Sequence, residues 1–514
     1  MLEKMKHYLH RNRLPSFASA ICAVMMLVFL PLVFRNALFD INRVKADLMI
    51  AAVPVCSLLS AASFAAARKR PALCREVKRI CLILLVFAAA AAISSARCGF
   101  SKQVLFGLDG RRSGLLFLLA CVGGFLVIVI GGLEGSCIRL LASAAAAAVA
   151  VLGVLNAVGV DPFGFYVRMQ KGQEHLFLST IGNIDFFGCY LALMLPAAAG
   201  GWVFCGRRKT DWLYLTCSIC ITAGIAASRS DTALLAVQAG MLLLLVFSGE
   251  SYAAMSRILF LWAFSFAALP IMYTAFQHAD YYLPVTGIFF ALCDRPLAWA
   301  ASAMLFAVSI SCVYAGKHGR KPLGIRRIAA LSLSGTLVIA ALLLAAIICF
   351  TVIYPDAEIG PLSSFLRFDD HWGTRRGFVY RCSAKALSGF SLADCLFGQG
   401  VDMTHHILGP YFDDPAMLAH GVFNDAHCQP LQYLLTTGLL GSASLIAFHV
   451  SLMISLARYA KHDSMICSYF AALCAYTLSA LVSVSQPILI ASYFAVCAAA
   501  VSRVQYFSAK EGDP

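Results

Sequence analysis

The residues able to do chemistry crowd into one stretch of this chain. Between Pro355 and His427 runs a long polar segment with two dense signatures, WGTRRGFVY from Trp372 to Tyr380 and NDAHCQPLQYLLTTGLLG from Asn424 to Gly441. His427 supplies an imidazole, able to exchange a proton near neutral pH, at the threshold of an apolar helix. Pro430 suits the first turn of that helix, where its missing N–H would be unpaired in any case. Arg375 and Arg376 supply guanidinium forks, which grip phosphate oxygens two at a time and stay charged. Arg111 and Arg112 in FGLDGRRSGLL, and Arg229 in ASRSD, offer the same chemistry earlier in the chain. Plainer accounts exist for each: packing at a helix start for His427, snorkelling to the membrane edge for the arginines, and loop capping for Asp402.

The same stretch holds residue types that can ligate a metal. His405, His406 and His420 share the segment, and Asp369-Asp370 and Asp413-Asp414 are paired carboxylates, types able to bind divalent cations. No HExxH or comparable ligand spacing appears, so solvated loop charge is the simpler reading and neither metal nor cofactor is expected. Cys217-Ser-Ile-Cys220 has no second pair, which argues against zinc. Cys382 and Cys395 share the polar segment, an arrangement that permits a disulfide without requiring one.

The elements that must position these residues are membrane helices. Of 514 residues, 61% are hydrophobic and 13% charged, with a mean hydropathy of +0.80, far from a soluble domain. Apolar runs able to cross about 30 Å of hydrocarbon recur throughout. Fourteen candidate spans fall near 16–34, 47–67, 80–96, 115–133, 138–158, 184–205, 212–227, 232–247, 258–275, 296–315, 328–354, 429–457, 464–484 and 487–503. The expected fold is an all-α polytopic bundle of 12–14 transmembrane helices with one large extracytoplasmic helical loop. Its parts are a membrane domain at 1–354, the loop at 355–427 and C-terminal membrane helices at 428–514. Tyr281 to Pro296 is a weak spot that could be re-entrant. The first run is longer than a signal-peptide core and reads as a retained span.

Lys and Arg cluster in alternate loops, at Lys4–Arg13, Arg68–Arg79, Arg207–Lys209, Lys317–Arg327 and Arg458–Lys461. The positive-inside rule then places both termini in the cytoplasm of a cell-membrane protein. It also explains the net charge of +14 as a topology signal, with no nucleic-acid partner. His449 is the only ionisable side chain expected well inside a span. Ion-coupled transporters usually carry buried charge at mid-depth, so its scarcity counts against transport.

With these signatures in view, the chain resembles the O-antigen ligase family, membrane glycosyltransferases that include O-antigen ligases and related polysaccharide polymerases. The resemblance covers roughly residues 100 to 445. TIGNIDFFGCYLALMLP, Thr180 to Pro196, is similar to the family's Gly-Asn helix start, and SRS around Arg229 to its short arginine turn. GTRRGFVY and LFGQGVD resemble the arginine motif and Gly-x-Gly-x-Asp that open the large loop. AHCQPLQYLLTTGLLG is similar to the closing motif, usually His-Asn followed by Leu-Gln and a Thr-Gly-Leu turn. Three positions depart: Cys428 replaces the usual Asn, Thr436 stands where an acid is common, and Tyr380 where Trp is frequent.

The resemblance implies transfer of a glycan from a polyprenyl-diphosphate carrier to an acceptor hydroxyl at the outer membrane face, with inversion and without a metal. His427 would be the base, and Arg376 and Arg229 the diphosphate ligands; Arg376 is preferred over Arg375 because Arg-Gly-Phe-Val-Tyr keeps the family's spacing. Arg112, Asn183, Asp402 and Gln432 would bind substrate or orient the arginines, with helix capping the nearer account of Asn183. The acceptor, a lipid or another glycan, decides between ligase and polymerase. A lipid-linked oligosaccharide or solute transporter stays as the reading from another class.

Overall fold

Apolar runs meeting the thickness of a bilayer set the architecture. The computed structural model describes residues 15–66, 73–133, 135–204, 209–277, 292–293, 295–322, 324–360, 363–418, 423–460, 463–484 and 486–511. Among them, eleven helices are long and apolar enough to cross a membrane, and three shorter apolar helices stand with them. In chain order these are α1 (Pro15–Val24, running through a π-helical turn, Met25–Phe29, to Leu32), α2 (Ile41–Ala66), α3 (Arg75–Arg97), α4 (Leu115–Gly131) and α5 (Gly135–Ala157). Then follow α6 (Ile184–Val203), α7 (Lys209–Ser228), α8 (Asp231–Phe247), α9 (Tyr252–Phe276), α10 (Leu297–Lys317) and α11 (Ile325–Ile348, with a π-helical end, Cys349–Ile353). The last three are α12 (Gln429–Tyr459), α13 (Ser464–Val482) and α14 (Pro487–Glu511). The protein is an all-α multi-pass bundle, and each helix overlies one of the fourteen candidate spans. Most of the Tyr281–Pro296 stretch lies outside the described residues.

Several helices begin earlier than hydropathy suggests, because a helix can absorb charges that find partners. α2 takes in Arg43, Lys45 and Asp47. Lys45 is fully buried, and its ammonium donates to the carbonyls of Leu30 (2.7 Å), Pro31 (3.3 Å) and Val33 (2.9 Å). It therefore closes the end of α1, where carbonyls have no helical partner. His449 is thus not alone as an ionisable group within a span. Its ring nitrogens meet the Tyr493 hydroxyl (3.0 Å) and the Thr477 hydroxyl (2.9 Å).

Small residues let α6 and α14 sit deepest. The Ala197–Gly201 run of α6 and the alanines of α14 are almost wholly buried, as expected where membrane helices approach closely. α11 lies at the periphery with its leucines exposed. The loops 33–40, 98–114, 158–183, 229–230 and 354–428 meet at one end. Asn42 reaches the Gly110 carbonyl (2.7 Å), Arg168 bonds to Asn36, and Arg111 pairs with Asp425 (2.6 Å). A short antiparallel hairpin, β1 (Phe177–Leu178) and β2 (Gly182–Asn183), pairs Phe177 with Asn183 and leads into α6.

The long loop folds into short helices, the principal one Trp372–Ser388, around a core that includes Phe378, Cys382, Leu408, Phe423 and Leu435. Cys382 is buried there and its thiol donates to the Tyr411 carbonyl (3.2 Å), whereas Cys395 is exposed on another helix. The permitted disulfide is absent: both thiols are free.

The loop is locked to the bundle through a break in α12. Gly438 takes φ 66° and ψ −169°, a conformation essentially confined to glycine. A Cβ there would lie 2.4 Å from the backbone of Leu396 and Phe397, and one on Gly398 would lie 2.4 Å from Thr436. The two backbones touch. Carbonyls freed by the break find new donors: Leu435 accepts from the Gln399 N–H (3.2 Å), and Thr436 from the Gly400 N–H (3.1 Å) and the Ser94 hydroxyl (2.6 Å). Non-helical backbone at membrane depth is tolerated where protein satisfies it in this way. Arg97 at the end of α3 straps the same turn, bonding the Ala393 and Gly398 carbonyls and pairing with Asp394 (3.0 Å).

Candidate active site

His427 is held from both sides just before α12. Its backbone is left-handed, with φ 53°, a strained conformation for a residue other than glycine. Its N–H donates to Asp425 Oδ1 (2.7 Å), and its carbonyl accepts from the Tyr380 hydroxyl (3.3 Å). The ring is oriented as well. Nδ1 lies 3.1 Å from the Asp425 carbonyl oxygen, which can only accept, so Nδ1 carries the proton and Nε2 is left with a lone pair. Burial pushes the His427 pKa below the ordinary imidazole value; the Asp425 charge opposes this, and the Arg376 and Arg111 charges add to it. The imidazole is neutral near pH 7, the form in which it accepts a proton. Burial likewise pushes the Tyr380 phenol up to about 12, which keeps it a donor.

Arg376 stands where the Trp372–Ser388 segment becomes regular helix. Gly373, Thr374 and Arg375 are all left-handed, with φ 56°, 63° and 70°. This turn separates the two neighbouring arginines. Arg375 donates to the Met417 carbonyl (2.6 Å) and stacks 5.1 Å over Phe423, whose ring lies 5.9 Å from His427. Arg376 donates through Nη1 to the Gly373 carbonyl (2.6 Å), while its buried Nε has no partner. A buried donor left unsatisfied is costly, and here it sits beside an electron-rich imidazole.

A buried ion triad supports the site from below. Arg111 lies between Asp402 (3.0 Å) and Asp425 (2.6 Å), with all three side chains almost inaccessible. Asp402, at φ 58°, also accepts the Leu108 N–H (2.8 Å). Gln432 accepts the Ala426 N–H (2.9 Å), fixing the turn on the other side of Asp425. Asp402 thus holds Arg111, and Gln432 holds the backbone next to Asp425. The sequence drew attention to Arg112 instead. Arg112 points the other way, to Asp47 (2.7 Å) and over the Phe106 ring (5.4 Å). Adjacent residues in a turn carry no sequence signal for which one faces inward. Asp425 was missed for a similar reason, being a lone acid two residues before His427.

The remaining candidates lie to one side. Asn183 caps α6 by accepting the Asp185 N–H (2.9 Å). Arg229, at φ 54°, donates to the His175 carbonyl and stacks 5.3 Å over Phe276. Its neighbour Ser230 donates to Asp185. Nine non-glycine residues among those described have positive φ, and Arg112, Arg229, Asp402, His427 and Arg375 are five of them. Strain concentrates at the motifs.

Cys428 is the N-cap of α12 and makes no side-chain cap bond. Below it, a cavity of about 270 Å³ opens between α12, α13 and α14, largely apolar and lined by Gln429, Pro430, Tyr433, His449, Tyr476 and Tyr493. The paired carboxylates of the loop are otherwise engaged. Asp370 and Asp413 both clamp Arg381, at 2.7 Å and 2.8 Å, and Lys385 adds to Asp413 (2.7 Å). His406 meets Gln103 (2.8 Å), and His420 lies outside the described residues. No family model matches this chain, and no curated protein matches it in sequence.

Proposed function

We propose that the protein is an integral-membrane glycosyltransferase of the O-antigen ligase type, working at the extracytoplasmic face of a cell membrane with both termini in the cytoplasm. The observation that carries this is the His427 imidazole, with Nδ1–H fixed on the Asp425 carbonyl and Nε2 free, beside the unpartnered Nε of Arg376. The donor is a glycan on a polyprenyl diphosphate, and the acceptor is a hydroxyl of a lipid or another glycan.

In the step itself, His427 Nε2 takes the proton of the acceptor hydroxyl as its oxygen attacks the anomeric carbon. The bond from that carbon to the diphosphate oxygen breaks, and its electron pair leaves with the polyprenyl diphosphate. Attack opposite the leaving group inverts the anomeric centre. Arg376 stabilises the charge growing on the diphosphate, and Arg229, in the turn before α8, is the second guanidinium for that group. Arg111, Asp402, Asp425 and Gln432 act through His427 by fixing its turn. The apolar cavity beneath Gln429 and Pro430 suits the chemistry of an isoprenoid chain.

The test is glycan transfer in membranes supplied with polyprenyl-diphosphate-linked saccharide, with and without chelator. Native protein should give chelator-resistant product, and His427→Ala and Arg376→Ala should give none while still accumulating in the membrane. The product identifies the acceptor, and with it ligase or polymerase. Product that persists in both variants would remove His427 and Arg376 from the chemistry.

A further inference from the structure

A second cavity lies on the other side of the Arg111–Arg112 peptide. It measures about 310 Å³, at the lower end of the roughly 300–1,000 Å³ usual for small-molecule sites. Its walls come from the loop leading into α2, the Asp109–Arg112 turn, and the hairpin that opens α6. We propose that this cleft is a subsite for a neutral saccharide, linked to the His427 turn through Arg111 and Asp425; the proposal rests on the glycosyltransferase reading above and names where its glycan sits.

Three observations point to that class of ligand. The first is charge balance. The cleft carries Asp40 and Asp109 against Arg43 and Arg112, and most of these are already paired. Arg35 grips Asp40 (2.7 Å), and Arg112 and Arg43 share Asp47, at 2.7 Å and 3.6 Å. A polyanion would find little net attraction. The second is a ring of half-used polar groups. Asn42 donates to Gly110, leaving its amide oxygen; Asn183 accepts from Asp185, leaving its NH₂. The Asp109 carboxylate is exposed, and Arg112 Nε is buried without a partner. Both donors and acceptors are thus left over on residues that line the cavity, and the hydroxyls of a sugar can use either. The third is aromatic surface. Phe39, Phe177 and Phe186 line the same walls, and Phe39 is 55% exposed at the mouth. A flat apolar face beside hydrogen-bonding groups matches a sugar ring, which has both.

The geometry also gives the cleft a reason to be where it is. Arg111 is tied to Asp425, which holds the His427 N–H, while Arg112 lines the cleft.

Binding can be measured apart from turnover. Purified full-length protein in nanodiscs would be examined by ligand-observed NMR saturation transfer with chitotetraose, mannotetraose and a galactose tetramer, and with a sulfated heparin tetrasaccharide as the charged comparator. At least one neutral probe should bind, the sulfated probe should bind at least tenfold more weakly, and Phe39→Ala and Asp109→Asn should each weaken the neutral probe about tenfold. His427→Ala should leave that binding unchanged, so loss of transfer and loss of the cleft are read separately. In the transfer assay the same two cleft variants should raise KM at nearly constant kcat. Whether the rise is seen on varying donor or acceptor says which glycan occupies the cleft. Absence of binding by every neutral probe, binding indifferent to Phe39→Ala and Asp109→Asn, or preference for the sulfated probe would overturn the assignment.

Discussion

Replacing Arg111 by Met should be far more damaging than replacing its neighbour Arg112. Arg111 is buried between two buried carboxylates at 3.0 Å and 2.6 Å, and removing one member of a buried ion group strands the others at a cost of about 3–5 kcal/mol. Arg112 pairs with Asp47, whose side chain is 43% exposed, so water can replace the arginine and the loss should be about 1 kcal/mol or less. The difference should also depend on pH. Burial already holds the Asp402 pKa above the ordinary carboxylate value, with Arg111 opposing that rise. Without Arg111 it climbs further, so the folded state binds more protons than the unfolded one above about pH 4. The penalty is then small in acid, where the carboxylates are protonated in both states, and grows as pH rises through the folded pKa. Equilibrium unfolding in mixed detergent–SDS micelles, native against variant at each pH, measures this. Asp402→Asn placed in the Arg111→Met background should recover part of the loss. An Arg111→Met penalty no larger than that of Arg112→Met at pH 7, or one that does not shrink in acid, would refute the triad's role.

Three further outcomes are expected. The transfer rate should fall on its acid side with a midpoint below the ordinary His value of about 6.5, because burial depresses the His427 pKa; Arg376→Met should move that midpoint upward in any residual activity, and Asp425→Asn downward. Cys428→Asn should stabilise the start of α12 by about 1 kcal/mol, since an Asn oxygen caps helical N–H groups and the thiol makes no cap bond; unfolding in micelles reads it. Gly438→Ala should cost several kcal/mol from backbone strain and collision with Leu396 and Phe397, seen as lost accumulation or as protease sensitivity in the 392–400 turn.

The helices were legible because run length against bilayer thickness is a one-dimensional property, and the fourteen runs survive as fourteen helices. Three-dimensional choices were not. Hydropathy began the second run near 47, yet Lys45 is buried inside the helix because the end of α1 offers it three carbonyls. The run from Gln429 is continuously apolar across Gly438, so hydropathy cannot show that a loop some forty residues upstream supplies the hydrogen bonds the break requires. His427 and Arg376 were singled out by residue type and motif spacing. Arg111 and Asp425, which hold the site together, look in sequence like any loop ion pair, since their importance comes from burial alone. The same blindness left Arg111 and Arg112 undistinguished and allowed Cys382 to be paired with Cys395.

The contact between Gly398 and Gly438 bears on how this protein can be taken apart and rebuilt. A chimera that exchanges the segment between α11 and α12, for instance to alter acceptor choice, would appear to need only two junctions in sequence. In space it has a third and a fourth: the turn at Gly398–Gly400 is hydrogen-bonded to Leu435 and Thr436, and α3 ties in through Ser94, which bonds Gly400 and Thr436, and Arg97, which bonds Gly398. The unit that can be exchanged intact therefore includes the first half of α12 through Gly438 and the end of α3.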